Sequence, residues 1–263
     1  MMNVALAATH HDPDGRLYSQ MVRAFPRLQQ YFDNIAILLT PTSAAQTQSW
    51  LVQADITLRV APPDEPIGHL HLGRWRRGAV DLALQAFPDS DWFLFCDLDR
   101  VLHWIEYWPD ELMVTLEGLP AADVTVLGRT PRALASHPRA QVATESLVNE
   151  VFGRMTGYGW DVMAAARGLS RRAAHLIATT SQDDSIGADC TWLLLAQQAG
   201  LTMAYRATEG LEFETLDRFT DEVAALGSAE AWIERFDADL RNWLMRVDLA
   251  RTVIAALAAS KAQ

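Results

Sequence analysis

Four short apolar runs, Asn3 to Ala8 (NVALAA), Asn34 to Leu39 (NIAILL), Ile56 to Val60 and Trp92 to Cys96 (WFLFC), alternate over the first hundred residues with stretches of helical period. A strand apolar on both faces has to be covered on both sides, and a helix between two such strands returns the chain to lie parallel to its start. The alternation therefore predicts an α/β chain with a mainly parallel central sheet between helical layers. Leu17, Met21, Phe25, Leu28 and Phe32 recur every three or four residues and mark the first covering helix. Ala44 to Val52 is a second. Beyond Pro62, Pro63 and Pro66, the residues Trp75, Ala79, Leu82, Ala86 and Phe87 mark a third, with Arg74, Arg76 and Arg77 in its first turn.

Downstream, Val124 to Leu127 and Thr202 to Tyr205 read as further strands and Asp189 to Gln198 as a helix. Ala140 to Thr179 reads as mainly helical, with a break at Thr156-Gly157-Tyr158-Gly159. Phe236, Leu240, Trp243, Val247, Ala250 and Ile254 fall on one face of a last helix, which packs on the body or, as a homodimer contact that would also use Trp232, on a second copy. The expected organisation is one α/β domain over residues 1–218 and a helical C-terminal appendage over 219–263.

Charge removes several function classes. The 22 Lys and Arg stand against 33 Asp and Glu, a net charge of −11, which argues against a phosphate-tracking nucleic-acid binder and against anionic membrane surfaces. Lysine occurs once, at Lys261. A P-loop, a protein-kinase strand lysine and Schiff-base chemistry each need an internal lysine, so phosphate recognition here has to use Arg, backbone N–H groups or a metal. Cys96 and Cys190 are too few for a disulfide framework and suit a reducing cytoplasm. No signal peptide is read at the N-terminus, and the C-terminal apolar segment is interrupted by Arg246, Asp248 and Arg251, so no membrane span is expected.

In open α/β sheets ligands lie beyond the carboxyl ends of the strands. The residues there are Thr9-His10-His11-Asp12, Thr40-Pro41-Thr42, Pro62 to Arg77, Asp97-Leu98-Asp99-Arg100 and Gly128-Arg129-Thr130. Asp97-Leu98-Asp99 is the sharpest signal, because two carboxylates one residue apart at the end of a buried strand can together hold a hard divalent cation. The alternative is that Asp97 caps the following helix while Asp99 pairs with Arg100 or Arg74. His103 follows Asp99 by four residues, and His10 and His11 stand where a base or ribose would lie; for each a hydrogen-bonded structural role is the competing reading.

The order strand, helix, strand, helix, strand, Arg-bearing helix, apolar strand and Asp-x-Asp resembles the nucleotide-sugar glycosyltransferases of the GT-A fold, family 2 and its relatives, over roughly residues 3–215. The resemblance implies a GT-A-like nucleotide-diphosphosugar transferase sandwich. It implies a nucleoside-diphosphate sugar as donor, a hydroxyl acceptor, Mn2+ or Mg2+ on Asp97 and Asp99, and a nucleotide held by the segment from Leu72 to Ala79, with Arg74 and Arg76 toward the diphosphate. Thr9, His10 and His11 would contact the nucleotide. Gly159-Trp160-Asp161 resembles the segment lining the sugar and acceptor pocket, so Trp160 and Asp161 join the binding candidates, against a core role for Trp160. In the same stretch Arg171 and Arg172 are read instead as an amphipathic helix N-capped by Ser170.

Asp183-Asp184-Ser185-Ile186-Gly187-Ala188-Asp189 resembles the acidic motif that supplies the base of inverting members, which makes Asp189 the first candidate and Asp184 the second; helix capping is the competing use. Two departures stand out. No acidic residue follows the second strand, and no His follows the last one, where Glu209, Glu212 and Glu214 stand; Glu212 is the expected substitute ligand. Phe93 to Leu102 (FLFCDLDRVL) also fits the first motif of haloacid dehalogenase-like phosphatases, with Asp97 as nucleophile and Asp99 as acid/base. That family opens with this strand and uses a lysine, neither of which holds here. A third reading is a non-catalytic nucleotide-sugar-binding protein.

Overall fold

The computed structural model describes residues 3–261. Seven strands form one sheet: β1 Val4–His10, β2 Asn34–Leu39, β3 Thr57–Val60, β4 Trp92–Cys96, β5 Val124–Arg129, β6 Ala166–Ser170 and β7 Met203–Thr208. Their order across the sheet is β3-β2-β1-β4-β6-β5-β7. The pairs β1–β2, β1–β4, β2–β3 and β5–β7 are parallel, and β6 runs antiparallel to both β4 and β5. Six strands thus point the same way, and the carboxyl ends of β1, β4, β5 and β7 share one edge.

Side chains alternate between two buried faces. Ala5, Ala7, Phe93, Phe95, Val124 and Val126 point to one, where they meet α3 (Leu72–Ala86), α7 (Arg139–Thr156), α8 (Arg171–Thr180) and α9 (Ala188–Gln198). Leu6, Ala8, Ile35, Ile37, Leu94 and Cys96 point to the other, against α1 (Tyr18–Tyr31), α4 (Leu98–Tyr107) and α5 (Pro109–Gly118). The short helices α2 (Ala45–Gln53) and α6 (Pro131–Ala135) complete the body, followed by α10 (Thr220–Leu226), α11 (Ala229–Ala238) and α12 (Leu240–Lys261). The last helix lies on α7 and α9 through Ala250, Val253 and Leu257, while Leu240, Leu244 and Val247 on its first half remain exposed. No helix among the described residues is long and apolar enough to cross a membrane.

The stretch read as mainly helical from Ala140 to Thr179 departs from expectation, because β6 lies inside it. Its sequence, Ala-Arg-Gly-Leu-Ser, has no β-branched residue and so no strand signature. Tertiary packing decides the matter: Arg167 is buried and donates to the carbonyls of Val162 and Asp189, and Gly168 admits Leu119, whose Cδ2 would lie 2.2 Å from a Cβ at that position. Ser170 closes the strand and caps α8, its side chain accepting from Ala173 N. The predicted last helix is likewise two, α11 and α12, broken at the extended Asp239.

Candidate functional site

Parallel pairing of β1 with β4 sets Ala7 beside Phe95, so two residues further on Thr9 stands beside Asp97. Thr9 Oγ1 donates to Asp97 Oδ1 at 2.6 Å. The chain turns at Asp97 into α4, and although Asp97 occupies the N-cap position its carboxylate makes no capping bond. It turns instead to α3, where Arg76 Nη2 donates to Asp97 Oδ2 at 2.8 Å. Arg76 is only 5% exposed, and its Nη1 donates to Asp189 Oδ1 at 2.7 Å, so one guanidinium joins both carboxylates.

Thr9, His10, His11, Leu72, Asp97, Asp99 and Arg218 line a hollow of about 270 Å³ at this strand edge. Five of these were sequence candidates. Arg218 was not, since it arrives on the short 3-10 helix Glu214–Phe219 after β7 with no motif to mark it. Its Nη2 donates to Asp99 Oδ2 at 2.8 Å and its Nη1 to the His11 carbonyl at 3.0 Å, with Asp12 Oδ1 at 3.5 Å. Asp99 Oδ1 accepts from Arg100 N at 2.9 Å. Burial pushes the Asp99 carboxyl up, but the charges of Arg218 and Arg100 outweigh it and hold the group below the usual carboxylate range. His11 Nδ1 lies 2.8 Å from Thr40 Oγ1. His10 is buried with neither ring nitrogen partnered; burial and the Arg218 charge push it down to about 4, so it is a neutral imidazole.

The other candidates lie around this hollow rather than in it. Asp189 is 5% exposed and separated from the hollow by Arg76; burial, only partly offset by Arg76 and Arg167, pushes its carboxyl up, and Oδ2 has no partner. Asp184 is held by Arg77 at 2.5 Å with its side chain half exposed. Arg74 pairs with Glu65 at 2.6 Å and lines a separate hollow beyond β2 and β3 with Arg59 and Trp75. Asp161 is spent on Arg129, accepting from its backbone N at 3.0 Å and its Nε at 2.7 Å, and Trp160 stacks between Tyr158 and Tyr205 at centroid distances of 4.0 and 5.9 Å. Glu212 stands at a third hollow, accepting from Trp108 Nε1 at 2.8 Å and Arg132 Nη1 at 2.6 Å, with His103 Nε2 at 3.3 Å. Among the described residues no three His, Cys, Asp or Glu side chains gather as a metal-holding group.

No family model matches the chain, and no curated protein matches it in sequence. Solved structures do. Glucosyl-3-phosphoglycerate synthase from Mycobacterium tuberculosis, in complex with Mg2+ and uridine-diphosphate, is 13% identical with a TM-score of 0.50, over 98% of this chain and 79% of that one. A mannosyltransferase from Pyrobaculum calidifontis, in complex with GDP-Man and Mn2+, is 11% identical with a TM-score of 0.41, over 100% of this chain and 76% of that one. The chain has the GT-A-like fold of the nucleotide-diphospho-sugar transferases, a mixed, mostly parallel seven-stranded sheet between helices.

Proposed function

We propose that this chain is a nucleotide-sugar glycosyltransferase, transferring a sugar from a nucleoside-diphosphate sugar to a hydroxyl acceptor. The observation that carries the reading is the hollow at the carboxyl ends of β1 and β4, where a GT-A-like sheet brings Thr9, His10, His11, Asp97 and Asp99 together with Arg218. In this reading the diphosphate of the donor lies against Arg218 and His10, and the nucleoside runs along Thr9 and His11. The acceptor oxygen attacks the anomeric carbon, the bond from that carbon to the phosphate oxygen breaks with its electron pair staying on the phosphate, and the acceptor proton passes to a carboxylate. Asp189 is the base candidate: its Oδ2 is unpartnered, and since Arg76 stands between it and the hollow, the role requires the Arg76 side chain to move aside when substrates bind.

A divalent ion on Asp97, Asp99 and Glu212 is the form in which the sequence suggests this chemistry. The residues as arranged do not fit a resident ion. All four carboxylate oxygens of Asp97 and Asp99 already accept from protein donors, two of them guanidinium groups, and Glu212 faces another hollow.

The phosphatase alternative loses support, because Asp97 as nucleophile would need a free oxygen and both are engaged, by Thr9 and Arg76. The buried thiols of Cys96 and Cys190 support a cytoplasmic setting. Incubation with a panel of nucleotide sugars tests the proposal: slow release of nucleoside diphosphate from one donor is expected, with p-nitrophenyl phosphate left intact. Binding of a nucleotide sugar with no turnover under any acceptor would instead select a non-catalytic binding protein.

A further inference from the structure

Two carboxylates at a strand edge, each already held by a guanidinium group, make an unusual place for a further cation. Arg76 bonds Asp97 and is shared with Asp189, and Arg218 bonds Asp99 with Asp12 3.5 Å away. The two cations are not equivalent. Arg76 is sealed under α3 between Asp97 and Asp189, whereas the Arg218 side chain is 20% exposed and borders the hollow itself. Arg218 uses one N–H of Nη2 on Asp99 and one of Nη1 on the His11 carbonyl, leaving further donors of its five for a ligand. Beside it lies His10, 2% exposed, with both ring nitrogens unpartnered. A buried neutral imidazole always carries one N–H, and leaving it unmet is costly.

We infer that Arg218 is the built-in cation of this site, binding the diphosphate of a nucleoside diphosphate together with His10 so that binding requires no divalent metal. The inference rests on the transferase reading. An anion seated in the hollow gains a guanidinium and an imidazole N–H that has no other partner, and a planar guanidinium suits phosphate oxygens. As the anomeric bond breaks, the charge left on the departing phosphate oxygen faces the same guanidinium, and no ion has to enter or leave. A divalent ion placed on the same carboxylates would be repelled by both Arg76 and Arg218.

Calorimetric titration of the full chain with UDP and with GDP, first in excess EDTA and then in Mn2+, tests it. Binding of one of them in EDTA is expected, with an affinity within about threefold of that in Mn2+. Arg218→Ala should weaken it at least tenfold and Arg218→Lys should recover part of the loss, each checked for unchanged helical circular dichroism. Should Arg218→Ala fail to fold, the EDTA arm on the unaltered chain and the lysine variant still decide. Binding that appears only with Mn2+, or that is indifferent to Arg218→Ala, overturns the inference while leaving the transferase reading in place. Failure of both nucleotides, and of ADP, CDP and dTDP titrated after them, in both buffers overturns the two together.

Discussion

Arg76 Nη2 lies 2.8 Å from Asp97 Oδ2, although the two residues come from different elements: Arg76 from the second turn of α3, which starts at Leu72 so that only Arg74 of the three expected arginines is in its first turn, and Asp97 from just past β4. The same guanidinium holds Asp189 at 2.7 Å. Removing it leaves two carboxylates, one of them 5% exposed, without their cation. Arg76→Ala is therefore expected to destabilise the fold by about 3–5 kcal/mol, the usual cost of breaking a buried pair from one side. Arg76→Lys should cost less than Ala and still measurably, since a single ammonium does not reproduce two divergent donors. Urea unfolding at neutral pH reads both, and an unchanged midpoint for Arg76→Ala would show that the bridge carries no stability.

Much of this architecture is legible in the chain. Runs such as NIAILL and WFLFC announce buried parallel strands because both of their faces are apolar, and Asp97 is visible as a residue at the hollow because it interrupts such a run. Thr9, His10 and His11 follow from the rule that ligands lie beyond strand ends. Two kinds of feature are not legible. β6 holds its place through a buried arginine and a glycine cleft, which leave no periodic trace. Arg218 meets Asp99 across 119 residues, and directly after the run from Glu209 to Asp217, whose glutamates read as substitute metal ligands, it carries no motif until the fold brings it back to β1.

Gly168 offers a direct check on that missing strand. A Cβ there would lie 2.2 Å from Leu119 Cδ2 and 3.3 Å from Thr125 Cβ, so Leu119 must move or the strand must shift. Gly168→Ala should cost about 1–3 kcal/mol as an overpacked core position. Leu119→Ala in the same chain should relieve part of it, and strictly additive losses in a double-mutant cycle would argue against the contact.

Asp161 carries a pH-dependent share of stability. Burial pushes its carboxyl up, but the hydrogen bonds and charge of Arg129 and the Asn149 amide outweigh it and hold the group well below its ordinary value. A carboxyl depressed in the folded state stabilises at every pH above its unfolded pKa of about 3.9, and that contribution drains away as acid protonates it in the native protein. The gap in unfolding free energy between the natural chain and Asp161→Asn is therefore expected to be widest above pH 5 and to narrow steadily toward pH 2. A gap independent of pH over that range would remove the charge from the account.

Asp189 is where stability and chemistry part company. Its Oδ1 holds Arg76, a role that an asparagine carbonyl can still serve, while Oδ2 has no partner and is the atom available to take a proton. Asp189→Asn should thus leave nucleoside-diphosphate affinity within about threefold and lower kcat by about 10²–10⁴, the usual worth of a general base. Asp184→Asn, whose carboxylate is tied to Arg77 on the flank, should lower kcat by less than about threefold. The two variants divide the possibilities cleanly. A fall in affinity for Asp189→Asn with kcat preserved would mean that the carboxylate acts only by aiming Arg76 at Asp97, and a large kcat loss in Asp184→Asn alone would transfer the base to that residue.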